Sequence, residues 1–123
     1  MQYDYDDQNI FAKILRGEIP NTTVFENDNA LAFEDIQSQA PVHVLVIPKG
    51  AYVTWDEFAA SASPAEQADY VQAIGAVARQ EGVAESGYRL IQNNGEDGHQ
   101  EVPHLHVHVL GGGPIGPMLQ RRQ

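Results

Sequence analysis

Apolar and polar positions along the chain change period several times, and each change marks an element. Ile10, Phe11 and Ile14 form a helical stripe that Asp7 can cap and Gly17 can stop, which predicts a short first helix. Pro20 opens an extended segment. Residues 22–26 and 30–35 read as two strands joined at Asn27-Asp28-Asn29, a good hairpin turn. Residues 42–47 are apolar on both faces, as in a central strand, with His43, Leu45 and Ile47 on one side; Pro48 ends it.

Thr54 followed by Glu57 has capping-box spacing and predicts a short helix through Ala60. Ser63-Pro64-Ala65-Glu66 repeats the signal with proline at the first helical position. The helix that follows runs to about Glu81, with Tyr70, Val71, Ile74, Val77 and Ala78 on one face and Gly82 at the stop. Residues 88–93 read as a strand, and 94–98 as a polar loop. Last comes the segment His104-Leu105-His106-Val107-His108-Val109-Leu110, in strict alternation. A strand over 104–110 sends the three imidazoles to one face and Leu105, Val107 and Val109 to the other. Glycines and prolines then make an irregular tail. Short hairpins with inserted rather than alternating helices predict an α+β fold on an antiparallel sheet.

Composition narrows the picture. The 123 residues make one domain, large enough for a proper core, with residues 1–6 as a frayed arm. No apolar run approaches the roughly 20 residues that span a bilayer, so no membrane partner is expected. The acidic N-terminus has no basic or apolar signal region, and there is no cysteine. A cytoplasmic protein is the expectation. The net charge of −10 argues against nucleic-acid binding, which needs clustered Lys and Arg. A small phosphorylated ligand stays compatible, held at short range.

Three of the five histidines stand in the alternating segment, and His43 sits in another strand. A solvated face is one reading. A metal site is another, since imidazole binds zinc. Against it, the carboxylate nearest in sequence is Glu101, and three positions along a flat strand spread over about 13 Å. Acid–base and nucleophilic catalysis by imidazole is the third and most economical reading: a neutral ring nitrogen attacks phosphorus well, and histidine titrates near neutrality. Asn93 and nearby glycines offer donors for an oxyanion.

The residues 104–110 resemble the His-φ-His-φ-His-φ-φ signature of the histidine triad (HIT) superfamily. Residues 10–14, 17–20, 31–36, 39–49 and 93–98 resemble its Hint branch, the purine nucleoside phosphoramidases, and the likeness runs from about residue 9 to residue 119. The resemblance implies one HIT domain with a five-stranded antiparallel sheet and two main helices. It also implies a homodimer joined into a continuous ten-stranded sheet. The implied reaction is hydrolysis of the P–N bond of purine nucleoside phosphoramidates, with aminoacyl adenylates also accepted and no cofactor or metal required.

By position, His106 resembles the nucleophile that forms a nucleotidyl-histidine, and His108 the histidine on the phosphate near the leaving group. His104 and His43 resemble the supporting pair, and Asn93 a residue near the scissile bond. Asp35 resembles the carboxylate that takes the ribose hydroxyls; Ile10, Phe11, Ile14, Phe33 and Ile36 match the slot for the base. Read without the resemblance, these apolar residues suit a plain core, and Trp55 and Tyr70 are packing residues. The sequence departs from the family in three places. Glu101 stands where many relatives have a serine that donates to the phosphoramidate, which an ionised carboxylate cannot do. His99 replaces a glycine, and Gly113 a frequent arginine. Two alternatives to the phosphoramidase are a purine-nucleotide binding module with little turnover and a HIT hydrolase of dinucleoside polyphosphates.

Overall fold

The computed structural model describes residues 4–119. The first three and last four residues of the expected arm and tail lie outside it.

The elements run α1 (Ile10–Leu15), β1 (Thr23–Glu26), β2 (Ala30–Glu34), β3 (Val42–Pro48), α2 (Trp55–Ser61), α3 (Pro64–Gln80), β4 (Tyr88–Ile91) and β5 (Val107–Gly111). All five strands form one antiparallel sheet in the order β1-β2-β3-β5-β4. The α+β expectation holds. The β1–β2 hairpin closes on Asn27, whose Oδ1 accepts from the N–H groups of Asn29 and Ala30 at 3.1 and 2.9 Å.

Strand alternation divides the core in two. On one face Ala30, Ala32, Val44, Val46, Val107 and Val109 pack beneath α3, which contributes Tyr70, Ala73, Ile74 and Val77. Small alanines on β2 let the long helix lie close. The opposite face carries Leu31, Phe33, Leu45 and Ile47, covered by Phe11 and Ile14 of α1. The six-residue α1 leaves part of that face open, and the histidines occupy the gap.

Both predicted caps of the longer helices are present. Thr54 accepts from Glu57 N–H, and Ser63 and Glu66 form a reciprocal capping box with Pro64 in the first turn. Three local expectations are corrected. Asn9, not Asp7, caps α1, because its Oδ1 accepts from Ala12 N–H at 2.9 Å. Val71 is 63% exposed while Ala73 is buried: Val71 stands at the margin of the stripe through 70, 73, 74 and 77, and that margin becomes buried only two turns later, at Ala78. The last strand begins only at Val107. Before it, the N–H of Leu105 is donated to Tyr52 O at 2.8 Å and that of His104 to Val102 O at 2.9 Å, so loop contacts replace the ladder. No helix among the described residues is long and apolar enough to cross a membrane.

Candidate active site

The imidazoles share a face as the alternation requires, but two of them stand on the loop that leads into β5. This compresses the row. The ring centroids of His106 and His108 are 5.1 Å apart, and those of His43 and His108 are also 5.1 Å apart. His43 reaches the cluster because β3 runs beside β5, with Leu45 opposite His108 and His43 opposite Leu110. Phe11 of α1 packs its ring edge-on against His106 at 5.0 Å and against His104 at 6.3 Å.

The hydrogen bonds fix the protons. His104 is fully buried, and its Nε2 lies 2.8 Å from Pro48 O. A carbonyl only accepts, so Nε2 carries the proton and Nδ1 accepts, here from the hydroxyl of Tyr5 at 2.6 Å. His106 directs Nδ1 at the backbone oxygen of His104, 2.7 Å away, so the proton is on Nδ1. Its Nε2 is left with a free lone pair, the form in which imidazole attacks. On the other side, Nδ1 of His43 accepts the N–H of Gln39 at 3.0 Å, which puts the proton on Nε2. That proton points to Nδ1 of His108, 2.9 Å away, with Asp35 Oδ2 at 3.3 Å. His108 therefore carries its own proton on Nε2. Two neighbouring rings thus present opposite chemistry: a bare nitrogen on His106 and an N–H on His108.

Electrostatics keep the rings neutral. Burial depresses the pKa of His104 to about 4, and burial together with the neighbouring His106 and His43 brings His108 to about 4. His106 is lowered by burial, against which its bond to the His104 carbonyl and the carboxylates of Asp35 and Glu101 pull upward. Burial likewise lowers His43, opposed by Asp35.

Asp35 leaves the end of β2 and is held on both sides. Its Oδ1 accepts from Gln37 N–H at 2.8 Å, and its backbone N–H donates to His43 O at 3.0 Å. Next to it, Ile36 is 95% exposed; Ile10 is 44% exposed, whereas Phe11, Ile14 and Phe33 are buried. Phe11, Ile14 and Phe33 therefore belong to the core beneath α1, and of the five only Ile10 and Ile36 stand open to solvent. Asn93 is half-buried two residues beyond Ile91, which pairs opposite His108. Glu101 is exposed and faces His99 Nε2 at 3.2 Å. His99, at the glycine position of the loop, has φ 59°.

The arguments against a metal change in one respect. Asp35, His43 and His108 each offer a ligand atom, all within 4.8 Å of one another. The carboxylate that sequence spacing does not supply comes from the residue that follows β2. Sequence reading also misses Tyr5, which belongs to the expected frayed arm, and no local signal marks a contact across 99 positions.

A buried histidine cluster on an open sheet face, with one imidazole presenting a lone pair and its neighbour an N–H, defines a protein of the histidine-triad type. Residues 16–115 match the HIT domain, and the chain belongs to that family. It is 57% identical over 121 residues to an uncharacterised HIT-like protein of Azospirillum brasilense, covering 98% of this chain and 99% of that protein. It is 44% identical over 123 residues to the purine nucleoside phosphoramidase of Escherichia coli, covering 94% and 97% of the two chains. Among solved structures, a HIT family hydrolase from Clostridium thermocellum superposes with a TM-score of 0.83 at 41% identity, covering 93% of this chain and 98% of that one.

Proposed function

We propose that this protein hydrolyses the P–N bond of purine nucleoside 5′-phosphoramidates through a nucleotidyl-His106 intermediate. The observation that carries the reading is the proton on Nδ1 of His106, held by the His104 carbonyl, which leaves Nε2 free to attack. The 44% identity to a purine nucleoside phosphoramidase supports the substrate class.

In the first step Nε2 of His106 bonds to phosphorus and the P–N bond breaks. The ring becomes cationic, and its Nδ1–H stays on the His104 carbonyl. The departing nitrogen takes one proton. Solvent at the open mouth of the site supplies this proton, while the Nε2–H of His108, kept there by His43, donates to a phosphoryl oxygen. Water then attacks phosphorus, His106 leaves as neutral imidazole, and the proton released by water passes to solvent. Asp35 takes the ribose hydroxyls, exchanging its contact with His43 for the diol. The base lies on the floor of Phe11, Ile14 and Phe33, between Ile10 and Ile36. Asn93 and Glu101 face the leaving group. No step needs a metal.

The protein works as a homodimer in this reading, in a cytoplasmic setting. Strand β4 lies at the sheet edge with Tyr88, Leu90 and Ile91 exposed at 43%, 48% and 37%. An exposed apolar edge is a liability unless covered, and a second copy pairing there extends the sheet to ten strands.

The test is hydrolysis of adenosine 5′-phosphoramidate by wild type and His106→Ala, with denaturing quench at alkaline pH and intact mass. AMP release and a transient adenylyl adduct in the wild type alone support the reading. Binding of AMP without turnover by either protein replaces it with a nucleotide-binding module.

A further inference from the structure

We propose that Tyr5 is a positioning residue for the nucleophile, acting through His104; the catalytic part of the claim rests on the phosphoramidase reading. Tyr5 precedes the first helix, and its hydroxyl lies 2.6 Å from Nδ1 of His104, with the two rings edge-on at 5.6 Å between centroids. The far nitrogen of His104 is committed as a donor to Pro48 O. The near nitrogen therefore needs a donor, and Tyr5 supplies it. Burial holds the Tyr5 hydroxyl in its protonated form, able to donate.

His104 has no solvent contact, so in the intact protein Tyr5 and not water supplies the donor to its Nδ1. No buried side-chain nitrogen or oxygen among the described residues lacks a hydrogen-bond partner, and deleting the Tyr5 hydroxyl creates one at this ring. The consequence reaches the reacting atom because the backbone oxygen of the same residue holds the Nδ1 proton of His106. A shift or tautomer change of His104 moves that oxygen and loosens the orientation of Nε2. Tyr5 touches neither Asp35 nor the floor beneath the base, so its loss acts on the chemical step and not on nucleotide binding.

Tyr5→Phe keeps the ring and removes only the donor. The expected result is a fall in kcat of about tenfold to a hundredfold, with KM for adenosine 5′-phosphoramidate within about twofold of wild type. In 15N-histidine-labelled free protein, the His104 Nδ1 resonance is that of a hydrogen-bonded unprotonated nitrogen in the wild type. In the variant it moves, together with the His106 resonances. Unchanged histidine resonances overturn the proposal, as does an unchanged kcat, or a raised KM with kcat intact. Because the nitrogen shifts are read without substrate, they decide whether Tyr5 positions the two rings even where the wild type is inert towards phosphoramidate. That inertness overturns the phosphoramidase reading instead.

Discussion

Nε2 of His43 lies 2.9 Å from Nδ1 of His108, across 65 positions of sequence, and the proton between them decides which nitrogen of His108 carries that ring's own proton. With His43 donating, the exposed nitrogen of His108 is an N–H. Without it, the ring is free to adopt the other tautomer and present a second lone pair beside the first. His43→Ala is expected to lower kcat for adenosine 5′-phosphoramidate by about ten- to a hundredfold, because in the proposed mechanism the phosphate then meets a lone pair on His108 in place of an N–H. Steady-state kinetics with the nucleotide concentration varied will separate this from a change in binding.

Acid should destabilise the fold and leave the nucleophile working longer than free histidine would. The rings of His104 and His108 have their pKa values lowered from 6.5 to about 4. Between those values the unfolded chain binds more protons than the folded one, so stability rises with pH across the window. It is fully present above pH 6.5 and is lost as pH falls towards 4. The melting temperature is expected to drop progressively over that interval, less steeply in His108→Asn. In kcat/KM, which reports the free enzyme, the acid limb should fall below pH 6.5 because His106 is also depressed.

Metal removal is expected to leave the rate intact, and zinc is expected to reduce it. The ligand atoms of Asp35, His43 and His108 lie close enough for one ion, and capture there would occupy the carboxylate and the ring that the proposed mechanism gives to the ribose and the phosphate. Assays in chelator, then with added zinc, check both directions. Asp35→Asn should weaken zinc inhibition relative to its own uninhibited rate. A rate that depends on zinc would contradict the mechanism.

His99 adopts φ 59° in the loop of residues 94–100, a conformation natural to glycine. His99→Gly is expected to relieve strain of about 1 kcal/mol, partly offset by the entropy of the freer unfolded chain. Equilibrium denaturation should show a small net gain or no change. The exposed Glu101 carboxylate loses its partner in this variant, so a change in rate would connect that pair to the leaving group.

Leu90 on the edge strand tests the assembly. Leu90→Glu introduces a charge at the centre of the proposed seam, where two copies would bring like charges together. Light scattering after size exclusion is expected to report a dimer for the wild type and a monomer for the variant.

Periodicity was sufficient for most of this architecture because the sheet buries both faces and each helix carries its own start signal. Thr54, Ser63 and Pro64 mark their helices locally, and the alternation of His43, Leu45 and Ile47 assigns the site face of β3 correctly. Val71 misleads because an apolar residue on a helix is no evidence of burial without a neighbour to bury it. The histidine row reads as a strand throughout, yet its first half is held by Tyr52 and Val102, neither of which belongs to a strand. What local pattern does not contain is convergence from distant segments. Tyr5 and Pro48 reach His104 across 99 and 56 positions and His43 reaches His108 across 65, and with the local bonds from Gln39 and the His104 carbonyl they set the protonation of the cluster.

The atom that orients His106 is a main-chain oxygen, and no substitution deletes a main-chain oxygen. In the proposed mechanism the exposed pair of His99 and Glu101 can therefore vary, and the leaving group with it, while that oxygen stays in place. The attacking nitrogen keeps its aim through such drift. A lineage built this way diversifies its substrates while inheriting a single reactive step.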